Sequence, residues 1–128
     1  METTIFLKEV LSRNGLYCVF ASNSTTDKRI QRFHDSIDDL VDTALDLDNN
    51  GYDVYFALAT FNEDNSRKVS NVKHIKSFFL DLDCGPTKDF ASKEEAITAL
   101  RLFCKGAKLP KPSIVDSGRG VHVYWALK

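Results

Sequence analysis

The 128-residue sequence predicts an α/β (α+β) fold, a sheet covered by helices. Three observations predict it. Apolar runs of strand length recur at 16–22, 52–60 and 75–83. Two stretches with apolar residues at helical spacing each follow a Ser/Thr cap signal, at 24–27 and at 92–95. The elements alternate, in the rough order αβαββαββ, with no internal repeat and no low-complexity linker. One domain is therefore expected over 1–128, with an N-terminal α/β unit over 1–74 and a second unit over 75–128.

Each element has a local reason. Residues 4–13 predict a short helix with Leu7, Val10 and Leu11 on one face, and Asn14-Gly15 stops it. "LYCVFAS" (16–22) is a buried strand. "STTD" (24–27) resembles a capping box, and Ile30, Phe33, Ile37, Leu40, Val41 and Ala44 then predict a helix to about 48. Its other face, with Asp35, Asp38, Asp39, Asp42 and Asp46, is read as solvated. "NNG" (49–51) ends it. "YDVYFALAT" (52–60) is apolar on both faces, which predicts a central strand. Residues 61–74 are polar and predict a long loop carrying Arg67, Lys68 and Lys73. Residues 75–83 are the next strand, and "CGPT" is a turn. Ser92 and Glu95 cap a helix with Ala96, Ile97, Leu100, Phe103 and Cys104 on one side, closed by Gly106. Strands at 113–117 and 121–127 flank the turn "SGRG" (117–120).

Composition bounds the function. Apolar residues make up 43% and charged residues 27%, ordinary values for a soluble domain. No run approaches the roughly 20 apolar residues of a membrane helix, and Glu2, Lys8 and Glu9 do not suit a secretion signal. Cys18, Cys84 and Cys104 lack CxxC spacing and fit free thiols in a reducing, cytoplasmic compartment. The net charge of −1 hides an asymmetry: residues 1–64 carry 5 Lys+Arg against 12 Asp+Glu, and residues 65–128 carry 12 against 6. A basic half points to an anionic partner or to neutralisation by the acidic half.

Two stretches carry chemistry. In "FFLDLDCG" (78–85) strand alternation puts Phe79, Asp81 and Asp83 on one face, and Phe78, Leu80 and Leu82 on the other, toward a core. The backbone rise separates the aspartates by roughly 6.5–7 Å. Ionised carboxylates inside an apolar strand need a neutralising partner, and a hard cation, Mg²⁺ or Mn²⁺, suits this oxygen pair. The other reading is a frayed strand end capping the turn. In "VDSGRGVHVYW" (115–125) the residues Ser117, Gly118, Arg119 and Gly120 form a tight turn whose backbone N–H groups and guanidinium suit phosphate. His122 and Tyr124 share one face, and Val121, Val123, Trp125 and Leu127 share the core face. A plain hairpin turn with a surface histidine is the alternative.

"FFLDLD" resembles the first motif of the archaeo-eukaryotic primase superfamily, and "GVH" within "SGRGVHVYW" resembles its second. The likeness is clearest from about Val54 to Leu127 and is nearest to primase-polymerase domains of phage and plasmid primase-helicases. It implies an RRM-like sheet for 75–128, two catalytic metals (Mg²⁺ or Mn²⁺) on Asp81 and Asp83, and His122 on the phosphates of the incoming nucleotide, helped by Ser117, Gly118, Arg119 and Gly120. It implies nucleotide joining on a single-stranded DNA template, nucleoside triphosphates as substrates, a helicase domain as a partner, and a bacterial or phage-infected cell as the setting. The family's third motif, a later acidic residue, has no counterpart before Lys128, so a piece of a larger primase is expected, with an open sheet edge that invites self-association. The basic residues Arg67, Lys68, Lys73 and Lys76 are candidates for template or nucleotide contact, and Tyr124 for base stacking.

Two other readings stay open. One is a non-catalytic single-strand-binding or assembly module derived from such a fold. The other is a phosphatase, because "FLDLDCGPT" is also similar to the DxDGT strand of haloacid-dehalogenase-type enzymes, although Cys84 separates Asp83 from Gly85.

Overall fold

The computed structural model describes residues 2–127, so Met1 and Lys128, the ends of the predicted domain, lie outside the described residues. The fold is α+β, with three α-helices and eight strands in small antiparallel sheets among the described residues. The chain divides into two compact units, Met1–Lys76 and Ser77–Lys128.

The first unit is built on β1 (Tyr17–Ser22), the middle strand of a sheet flanked by β2 (Arg29–His34) and β3 (Asp53–Phe56). Cys18 and Val19 are both about fully buried, on opposite faces of β1. Helix α1 (Glu2–Val10) packs on α2 (Ile37–Asn49), and α2 packs on the sheet. Leu7, Val10, Leu11, Leu40, Val41 and Leu47 fill the space between. A second hairpin pairs β4 (Ala59–Phe61) with β5 (Val72–Ile75). Its connection is organised by the buried Asn71, whose Nδ2 donates to the carbonyls of Glu63 (2.8 Å) and Ser66 (2.6 Å) and whose Oδ1 accepts from Glu63 N–H (3.0 Å).

Three expectations need correction here. "STTD" does not cap a helix; it is the loop of the β1–β2 hairpin. Asn23 Oδ1 accepts from Thr25 and Thr26 N–H, and Asp27 sits in the left-handed region at φ 59°. Helix α2 starts only at Ile37, capped by Ser36, whose Oγ accepts from Asp39 N–H (3.2 Å). Ile30 and Phe33 belong to β2, opposite Ala21 and Cys18. The stretch 52–60 is not one central strand: β3 is an edge strand beside β1, and the chain breaks before β4. The polar segment 61–74 is not all loop, because β5 occupies its end.

The second unit is a three-stranded sheet in which β8 (Gly120–Ala126) lies between β6 (Ser77–Asp83) and β7 (Ser113–Asp116), antiparallel to both. The crossover from β6 to β7 runs through α3 (Lys93–Ala107). Both halves of its capping box form: Ser92 Oγ accepts from Glu95 N–H (3.2 Å), and Glu95 Oε2 accepts from Ala91 N–H (2.8 Å). The helix ends not at Gly106 but at Lys108, which takes the left-handed C-cap conformation at φ 56°. Ala96, Leu100 and Cys104 pack on Val121 and Val123, with Leu82, Ile97 and Trp125 at the margin. Because α3 lies over the middle strand, only Leu82 of the predicted inward face of β6 reaches this core. Phe78 is 64% and Leu80 37% exposed, as is 45% of Leu127.

Candidate functional site

Strand register assembles the site. Pairing of β6 with β8 sets Asp81 opposite His122, Phe79 opposite Tyr124, and Asp83 opposite Gly120. Directly opposed residues point to the same face, so Phe79, Asp81, Asp83, His122 and Tyr124 share the side turned away from α3. His122 Nε2 stands 3.5 Å from Asp81 Oδ1. The Phe79 ring meets the imidazole edge-to-face at 5.1 Å and the Tyr124 ring at 5.1 Å. The Tyr124 ring is the second aromatic neighbour of the imidazole, near-perpendicular to it at 6.5 Å.

The carboxylates are not buried. The Asp81 side chain is 51% exposed, and Asp83 is exposed as well. The expectation that burial forces a cation onto the pair therefore falls away, because both side chains are open to solvent. What remains is the donor set, two hard carboxylates two residues apart on one strand, which fits a divalent ion that takes its other ligands from water and phosphate. Among the described residues no group of three or more His, Cys, Asp or Glu gathers as a metal cluster.

Tyr124 differs from its expected role. It is buried, 5% exposed, so it offers no free face for a base. Burial, and after it the Asp81 charge, push its phenol above the ordinary value. The exposed aromatic beside His122 is Phe79, which the alternation of "FFLDLD" placed on this face but which sequence reasoning gave no role.

The turn at 117–120 lies at the Asp83 end of the sheet, where Arg119 O accepts from Cys84 N–H (3.0 Å). It is a two-residue hairpin turn with Gly118 at φ 91°, a conformation glycine adopts readily. Two of its amides are engaged internally: Ser117 N–H donates to Gly120 O (3.1 Å), and Gly118 N–H to Asp116 Oδ1 (2.8 Å). The Ser117 hydroxyl and the Arg119 guanidinium are its exposed side-chain donors. Gly120 is demanded by packing, since a Cβ there would collide with the Leu82 carbonyl oxygen. Asp116 faces the helix side, where Lys93 Nζ donates to both its oxygens (2.8 and 3.0 Å). This contact, with Gly118 N–H, holds its carboxyl below the ordinary range.

Arg67, Lys68, Lys73 and Lys76 belong to the first unit. No helix among the described residues is long and apolar enough to cross a membrane.

No protein-family model and no solved structure matches this chain. It is similar to a replication protein of Clostridium perfringens, with 30% identity over 83 residues, covering 64% of this chain and 20% of that protein. The chain thus spans about a fifth of that relative's length.

Proposed function

We propose that this chain carries the nucleotide-binding face of a template-dependent nucleotidyl-transfer site, of the primase-polymerase kind, acting in DNA replication. The observation that carries the reading is the register that sets Asp81 opposite His122 on an open sheet face, with Asp83 two residues on. The similarity to a replication protein supports the setting.

Asp81 and Asp83 would hold Mg²⁺ or Mn²⁺, which supplies charge neutralisation for the triphosphate and acidifies the attacking 3′-hydroxyl. In the reaction that hydroxyl oxygen forms a bond to the α-phosphorus of a nucleoside triphosphate and gives up its proton to solvent water, the bond to the β-bridging oxygen breaks, and pyrophosphate leaves. His122, oriented by Asp81 and held by Phe79 and Tyr124, donates an N–H to a phosphate oxygen. Arg119 and the Ser117 hydroxyl contribute donors for the leaving phosphates. The protein's share is positioning and charge stabilisation rather than covalent chemistry.

The test is incorporation of labelled nucleotide on a single-stranded DNA template with Mn²⁺, comparing wild type, Asp81→Asn/Asp83→Asn and His122→Ala. Incorporation lost in both variants supports the reading. A second reading is a single-strand-binding module without catalysis. That reading predicts strand binding with no incorporation in any of the three proteins.

A further inference from the structure

The first unit carries a built feature that the nucleotidyl-transfer reading does not use. Register sets Gln31, Phe20 and Tyr55 in one row across β2, β1 and β3. The Phe20 and Tyr55 rings stack, 5.4 Å apart and 20° from parallel. On Phe20 lies the Arg67 guanidinium, 3.8 Å from the ring centroid. Arg67 is held there by its Nε–H, which donates to Gln31 Oε1 (2.6 Å). The result is a three-layer ladder of guanidinium, phenyl and phenol, ending on a tyrosine that is 52% exposed.

The ladder borders a hollow of about 420 Å³ whose lining includes Phe20, Ser22, Arg29, Gln31, Tyr55 and Arg67. That lining holds two guanidiniums and no carboxylate; Asp53, opposite Ser22 in the register, stays outside it. Flat rings and a fixed guanidinium plane suit unpaired bases, because every base has a π-face that becomes available once it leaves the duplex. Arginine beside such a stack suits the phosphates between bases.

We infer that this face seats single-stranded nucleic acid, with one base extending the ladder on Tyr55 and the backbone running past Arg29 and Arg67. The inference rests on the nucleotidyl-transfer reading for its choice of strand, DNA. Its test omits metal and nucleotide, so the two succeed or fail separately.

Fluorescence anisotropy of a labelled oligo-dT of twelve nucleotides, titrated with the whole chain, reads binding. An abasic oligomer of equal length and a matched duplex are the comparators. Stacking of one base sets the expected loss for Tyr55→Ala at about 5-fold or more, with Tyr55→Phe within about twofold of wild type because the ring face is kept. Arg67→Ala weakens binding and flattens its salt dependence. Equal affinity for the abasic oligomer, no effect of Tyr55→Ala in a folded protein, or no binding at all overturns the inference. So does a dimer, seen by light scattering, that Tyr55→Ala dissociates while oligonucleotide affinity stays fixed; the face would then belong to a second copy.

Discussion

Replacing Gly120 by alanine tests whether strand register builds the site. Gly120 is the first residue of β8, opposite Asp83 and two residues from His122. A Cβ at this position would overlap the Leu82 carbonyl oxygen and crowd the Asp83 backbone. Both obstacles are backbone atoms of β6, so no rotamer change relieves them; the strands must separate or slip. Overpacking of this kind costs about 1–3 kcal/mol. For a small unit that lowers the melting temperature by about 5–20 °C. Gly106→Ala is the internal control. It lies inside α3 with open space where the Cβ would go, and a helical Gly-to-Ala change stabilises by about 0.5–1 kcal/mol. Thermal melts by circular dichroism should therefore move in opposite directions for the two variants. An unchanged melting temperature for Gly120→Ala would refute the close approach of β6 and β8, and with it the pairing of Asp81 with His122.

Other outcomes follow from single contacts. Ser92→Ala removes the N-cap of α3 and should cost about 1 kcal/mol in denaturant unfolding. Because the Asp116 carboxyl is held below its ordinary value of 3.8 by Lys93 and Gly118 N–H, its stabilising contribution is complete above that value and is lost as the pH falls below it; Asp116→Asn should flatten that part of the acid limb in pH-dependent melts. Asp81→Asn removes a negative charge that raises the Tyr124 phenol, so a tyrosinate absorbance titration should show one group ionising at lower pH than in wild type. Burial pushes the Cys18 thiol up to about 11, so at pH 8 Cys18 should resist a thiol reagent that labels the half-buried Cys84.

Much of the frame is legible in the sequence where local signals are self-sufficient. The apolar run of β1 and the Ser92–Glu95 box of α3 act within a few residues of themselves. Strand β2 was hidden because Ile30, Phe33 and Ile37 satisfy helical spacing as well as hairpin pairing, and the pairing with β1 that decides the matter is not local. The true cap, Ser36 with Asp39, stood in the acidic stretch read as a solvated helix face. For the candidate site, alternation put Asp81 with Asp83 on one strand face and His122 with Tyr124 on another; the β6–β8 register that joins the two faces is not local. Alternation could not reveal that the aspartates are exposed, since exposure depends on where α3 packs. Nor could it show that the Asp116 side chain takes up the Gly118 amide, or that the loop residue Arg67 comes to rest on Phe20 of a distant strand.

Calorimetric titration of the chain with a nucleoside triphosphate in Mn²⁺ decides whether the face holding Asp81, Asp83 and His122 binds nucleotide. Metal-dependent binding is expected in wild type and is lost in Asp81→Asn/Asp83→Asn and in His122→Ala, with all three proteins folded by circular dichroism. Binding of equal strength in the three proteins, or none in folded wild type, would contradict that expectation.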